Sequence, residues 1–134
     1  MFRENKGKYI KHWKNKEYQT FCRLVGEALC HEHCFLYGAY LESDLIGGAV
    51  FMQFSNRITF LFSGVDESHK DKHALTLILD EVIRRYAGND VVLDFEGSDN
   101  DNLARFYKGF GGVEIPYPEL KINRLGKILR IIKK

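Results

Sequence analysis

The chain has 134 residues, of which 45% are hydrophobic and 28% charged. That length suits one domain, and that balance excludes a disordered chain. Two prolines and 12 glycines exclude collagen-like and proline-rich architectures. The net charge of +2 is unevenly spread, with basic residues 1–16 and 121–134 flanking an acidic body. Such ends read as solvated tails or as contacts for an anion, such as a cofactor phosphate or RNA.

The longest apolar run, Leu45 to Met52, is far short of the roughly 20 residues that a membrane span needs. The first residues carry no apolar segment of the signal-peptide kind. A cytoplasmic protein without a membrane span is therefore expected. Cys22, Cys30 and Cys34 are too few, and odd in number, for a disulfide scaffold, so they read as reduced thiols.

Residues 1–16 form a basic arm in this reading. From Glu17, the positions Tyr18, Phe21, Cys22, Val25, Ala28 and Leu29 recur at helical spacing. Gly26 weakens that helix by about 1 kcal/mol relative to alanine. Three apolar runs follow: Phe35 to Leu41, Leu45 to Phe54 and Ile58 to Ser63. The polar turns between them predict an antiparallel meander.

Ser68 and Asp71 then have the spacing of a helix capping box. Behind them, Leu75, Ile78, Leu79, Val82, Ile83 and Tyr86 form a helical stripe that Gly88 and Asn89 end. Val91 to Phe95 reads as a strand. Ser98 to Asp101 is a second capping signature, followed by the helical face Leu103, Phe106, Tyr107 and Phe110. Gly111 and Gly112 stop it. Val113 to Tyr117 reads as a further strand, with another near Leu120 to Ile122.

This order predicts an α+β, layered fold with a mixed sheet flanked by helices. Its parts are an arm (1–16), a domain (17–123) and a basic tail (124–134). The strand ending near Gly64 and the strand Val91 to Phe95 each run into a helix start. A V-shaped opening between them is expected.

Cys30, His31, Glu32, His33 and Cys34 are metal-ligand types, but adjacent side chains diverge and no second pair stands elsewhere. The segment reads as a helix end with Cys30 and Cys34 turned inward. His69 and His73 are four apart, yet Lys70 stands where a zinc protease has its glutamate. No metal site is expected. Asp94 and Glu96 share one face of a strand end, where ligands bind in such sheets. A carboxylate there can take a proton from an attacking amine, or can cap a loop or pair with a cation.

YGAYLESDLIGGAVFMQF and NDNLARFYKGFGG resemble segments of the GNAT acyltransferase superfamily, over roughly residues 35–123. In the second segment Asn100, Tyr107 and Gly111 carry the family's helix spacing. LDFEGSDN with ARFYKGFGG resembles most the branch of the Fem peptidoglycan-bridge aminoacyltransferases. The resemblance implies a GNAT-like sheet whose first strand is missing here or supplied by a partner. It implies transfer of an acyl or aminoacyl group from acyl-CoA or aminoacyl-tRNA to a small-molecule or peptide amine. No tightly bound cofactor is implied, acyl-CoA being a co-substrate.

The family's tyrosine, here Tyr107, donates the proton to the leaving group; the bland reading leaves it in an apolar face. Family backbone N–H groups at the positions of Ser63, Gly64 and Val65 polarise the acyl carbonyl. The family's pyrophosphate loop, R/Q-x-x-G-x-G/A, corresponds to GVDESHKDKHA, which has Gly64 and no second glycine. Asp66, Glu67 and Asp71 oppose an anion there, and His69, Lys70, Lys72 and His73 offset them. Those four cations, Ser63 to Val65 and Asn100 are the candidate donor-binding residues. Fem-like proteins carry two such domains in tandem, and no clear first strand covers the edge Phe35 to Leu41, so a homodimer or an upstream tandem domain is expected to cover it. The alternative is a non-catalytic domain of the same fold that binds a partner or completes a longer protein. The altered phosphate loop favours the alternative, and the Asn100–Tyr107–Gly111 spacing favours the enzyme.

Overall fold

A computed structural model gives residues 14–97, 100–118 and 120. Their elements are α1 (Asn15–Cys30), β1 (Cys34–Leu41), β2 (Asp44–Phe54), β3 (Arg57–Val65), a 3₁₀ helix (Glu67–Lys72), α2 (Ala74–Tyr86), β4 (Val92–Asp94) and α3 (Asp101–Lys108). The strands form one sheet in the order β1-β2-β3-β4. β1, β2 and β3 make the expected antiparallel meander, and β4 lies parallel to β3. The fold is the expected α+β layering of helices on a mixed sheet.

α1 covers one face. Its Val25 and Ala28 pack with Cys34 and Val50, and the Phe21 ring sits 4.7 Å from that of Phe62. Cys22 and Leu29, on the edge of the predicted stripe, are exposed. α2 covers the other face, where Ile78, Leu79 and Val82 pack with Phe51, Ile58 and Phe60. Phe106, Tyr107 and Phe110 of the α3 region join that second core. Phe51 and Leu79 are fully shielded, at 0% exposure. Each such side chain contributes about 1.5–3 kcal/mol of burial.

The pairing of β3 with β2 is broken at one point. Val50 pairs with Phe62 and Phe51 with Phe60, so Leu61 is an extra residue. The bulge puts Phe60 on the α2 side while Leu61 and Phe62 both face α1. Bulges bend and twist a strand. The β3–β4 ladder runs only from Arg57↔Val92 to Thr59↔Asp94, whereas β3 continues to Val65. β4 ends at Asp94, so beyond Thr59 β3 continues without a β4 partner.

Several local expectations are corrected. Ser68 and Asp71 do not start α2. The Asp66 carboxylate accepts from the Ser68 N–H at 3.0 Å and from its hydroxyl at 2.8 Å. That hydroxyl is engaged there and caps nothing, so a 3₁₀ helix forms and α2 waits until Ala74. β4 is shorter than Val91 to Phe95. The Asp94 carboxylate accepts from the Glu96 N–H at 2.9 Å, and Glu96 adopts a left-handed φ of 63°. This local bond replaces the ladder, so Asp94 and Glu96 do not share a strand face.

Val113 to Tyr117 is no strand. Val113 and Ile115 stand 87% and 82% exposed, and Pro116 offers no N–H to a ladder. Of the strand expected near Leu120 to Ile122, Leu120 is in no strand and the other two residues lie, with residues 1–13 of the arm and the tail 124–134, outside the described residues. α3 starts where the second capping signature predicts, with the Asn100 side chain accepting from Asn102 and Leu103 N–H at 3.0 and 3.2 Å. Among the described residues, no helix is long and apolar enough to cross a membrane.

Candidate active site

At the end of β3 a cleft of about 270 Å³ opens against the start of α2. Ser63, Gly64 and Val65 of β3 form one wall, and Glu67 and Lys70 of the 3₁₀ helix form the rim. His73, Ala74, Leu75 and Thr76 form the second wall, and Leu103 and Phe106 of α3 the third. The two main walls meet because Gly47 on β2 has no side chain. A Cβ there would lie 2.6 Å from the Ala74 Cβ. Gly47 also pairs with Val65, so α2 begins directly beside the β3 end.

His73 stands before α2 in the left-handed conformation, φ 52° and ψ 36°, and no side chain caps the helix. Glycine takes that conformation without strain. His73 makes that turn with a side chain in place. Behind it, the N–H groups of Ala74, Leu75 and Thr76 have no acceptor within the helix. With the helix dipole, they make the α2 side of the cleft electropositive.

The acids around this turn are neutralised locally. Glu67 is paired with Lys70, and Asp71 with Lys72 at 2.9 Å. The Lys72 contact holds the Asp71 carboxyl below its ordinary pKa. His69 Nδ1 lies 3.0 Å from Asp66 Oδ2 and 3.0 Å from Ser68 Oγ. Bonds from Ser68 first, then from His69, hold Asp66 below the usual carboxylate range.

Of the candidate donor-binding residues, Ser63, Gly64, Val65, Lys70 and His73 line the cleft. His69 belongs to the Asp66 cluster, Lys72 is occupied by Asp71, and Asn100 caps α3. Sequence reasoning missed Leu75, Thr76, Leu103 and Phe106. The first two had a readable signal, the N–H-rich first turn of a helix. The α3 pair read only as core.

Tyr107 is not on the cleft wall. Its ring stacks on Phe95 at 4.6 Å and meets Phe60 edge-on at 6.3 Å. These two partners stand just past the last β3–β4 pair, so the ring sits where that ladder ends. Phe62 faces α1 and does not cover it. Burial raises the phenol's pKa above the ordinary tyrosine value. Asp94 is held by Arg57 of β3 and by the Glu96 N–H, while Glu96 is exposed.

The cysteine–histidine segment is not one helix end. α1 stops at Cys30, which is exposed, and Glu32 turns the chain with φ 58°. Cys34 opens β1 and is the only one of the two turned inward. Burial pushes its thiol pKa up. Among the described residues, no group of three His, Cys, Asp or Glu side chains is arranged for a metal ion.

The family model for the acetyltransferase (GNAT) domain matches residues 3–108. The chain belongs to the GNAT acetyltransferase domain family. Solved structures share the GNAT domain's fold at low identity. A possible acetyltransferase from Clostridium difficile 630 superposes with a TM-score of 0.66 at 12% identity, over 93% of this chain and 85% of that one. AAC(6')-Iy in complex with the bisubstrate analogue CoA-S-monomethyl-acetylneamine gives 0.63 at 12% identity, over 92% and 90%. The ribosomal-protein-alanine N-acetyltransferase from Brucella melitensis biovar Abortus 2308 gives 0.53 at 14% identity, over 91% and 90%. No curated protein matches this GNAT domain's sequence.

Proposed function

We propose that the protein is an N-acyltransferase that takes an acyl-CoA thioester in the cleft and transfers its acyl group to an amine. The observation that carries this is the cleft itself, in which the β3 end faces an uncapped helix start. The N–H groups of Ala74, Leu75 and Thr76, with His73 beside them, suit the phosphates of such a donor, and Lys70 joins them where a phosphate displaces its Glu67 partner. The thioester supplies the acyl group when bound. Leu75, Leu103 and Phe106 give an apolar wall that excludes water from it.

In this reading the backbone N–H groups of Ser63 to Val65 polarise the acyl carbonyl. Glu96 accepts the proton of the attacking amine, and the Tyr107 phenol gives one to the departing thiolate. Its raised pKa keeps the phenol protonated at neutral pH. Asp94 acts as a positioning residue, since its carboxylate fixes the Glu96 N–H.

The narrower form places the protein in the Fem-like branch, with an aminoacyl-tRNA donor and a second copy or tandem domain against the β1 edge. The cytoplasm suits the three free thiols. The non-catalytic alternative is favoured by one observation: neither Tyr107 nor Glu96 lines the cleft. Thermal shift with CoA, acetyl-CoA and charged tRNA separates the donors, because a ligand bound by the folded state raises Tm. Release of free thiol from acetyl-CoA with an amine panel then tests transfer. CoA binding without transfer to any amine supports the non-catalytic alternative, and no binding to CoA or acetyl-CoA overturns the acyl-CoA reading.

A further inference from the structure

We propose that Glu67 is a specificity determinant of the cleft, discriminating among donors by their phosphate charge. The inference rests on the acyl-CoA reading of that cleft. Glu67 and Lys70 both line it, and their side chains are paired across one turn of the 3₁₀ helix. Lys70 is therefore not an open cation. A phosphate entering the cleft competes with the Glu67 carboxylate for the same ammonium group. It also meets that carboxylate as a like charge at short range.

The position makes this effect selective. Asp66 and Asp71, the other acids of the turn, are held by Ser68, His69 and Lys72 and are absent from the cleft lining. Glu67 is the acid that does line it. Facing it, the first turn of α2 attracts anions through N–H groups that carry no countercharge of their own. The cleft thus holds one attractive wall and one carboxylate that occupies the lysine a phosphate would use. Repulsion grows with the charge of the ligand, whereas the apolar wall of Leu75, Leu103 and Phe106 is indifferent to it. A donor rich in phosphate is penalised most, and a neutral pantetheine arm is not penalised at all.

Three ligands of graded charge test this on the full chain: CoA, dephospho-CoA lacking the ribose phosphate, and pantetheine lacking all phosphate. Kd is measured by titration calorimetry for the wild type, Glu67→Gln and the control Glu81→Gln. Glu81 lies on α2 outside the cleft lining and undergoes the same charge change. Circular dichroism checks that each variant is folded.

Glu67→Gln is expected to tighten CoA by roughly three- to tenfold at low salt, dephospho-CoA by less and pantetheine not at all. The gain should shrink as salt rises, because the Debye length falls to about 8 Å at physiological ionic strength. Glu81→Gln should leave all three within about twofold. Equal changes for the three ligands, or CoA binding that Glu67→Gln leaves unmoved, overturn this inference and spare the acyl-CoA reading. Wild type and variant that both fail to bind CoA overturn both.

Discussion

Gly47 of β2 and Ala74 of α2 touch so closely that a Cβ on Gly47 would stand 2.6 Å from that of Ala74. That contact seats the helix start against the β3 end, where the cleft opens. The neighbouring Gly48 is different, for a Cβ there would meet only the Tyr37 carbonyl oxygen at 3.7 Å. The two glycines look alike in sequence and carry unequal constraints.

Gly47→Ala should therefore destabilise by about 1–3 kcal/mol, since Ala74 can yield only by moving its helix. It should also weaken CoA binding by displacing the α2 first turn. Gly48→Ala should be neutral, or stabilising by about 0.4–1 kcal/mol through lost freedom of the unfolded chain. Urea midpoints of the two variants check this, and equal effects would remove the special role of Gly47.

His73 holds a left-handed backbone that costs an L-residue about 1–2 kcal/mol. His73→Gly removes that strain and adds roughly 0.5–1 kcal/mol of unfolded-state freedom, so its net effect should be a gain of about 0–1.5 kcal/mol. A branched side chain is less tolerant of this conformation, and His73→Val should lose at least about 1 kcal/mol. Denaturant midpoints in that order, Gly above His above Val, are the expected result.

Tyr107→Phe should keep the fold, because the ring still stacks on Phe95. If the phenol protonates the leaving thiolate, turnover falls by roughly 10²–10⁴-fold with little change in KM. A structural role alone leaves turnover intact. A pH signature accompanies the ring's burial. The folded pKa is raised, so an unfolded tyrosine loses its proton first, above about pH 10. The stabilising effect is complete below that pH and is lost as pH rises through the folded value. Tyr107→Phe lacks this loss, and its Tm should decline less steeply above about pH 10 than that of the wild type.

Asp94→Asn removes the charge paired with Arg57 while an oxygen can still accept from the Glu96 N–H. The pair is exposed, so stability should change by less than about 1 kcal/mol. As a positioning residue Asp94 should tolerate this change with kcat within about threefold, while Glu96→Gln lowers kcat by about 10²-fold or more. The reverse pattern would assign the base to Asp94.

The meander and the capped helix α3 were legible in the sequence because their causes are local. Apolar runs separated by short polar turns define β1 to β3, and Asn100 caps through N–H groups two and three residues on. Five of the donor-binding candidates reached the cleft because they lie within one short stretch of chain, from the end of β3 to the start of α2. Other features needed the tertiary structure. The Leu61 bulge exists only relative to the β2 register, and it turns Phe62 away from Tyr107. Asp94 was readable as a loop cap or an ion-pair partner, but its cation, Arg57, lies 37 residues earlier and only the tertiary structure brought it alongside. Leu103 and Phe106 carry the helical spacing of core residues, and only the placing of α3 beside the β3 end and the start of α2 made them a cleft wall. The same holds for Gly47, whose missing side chain has meaning only against Ala74. Local patterns choose the elements because they act within a few residues. The cleft depends on contacts between segments far apart in the chain, and no periodicity records which residues will meet.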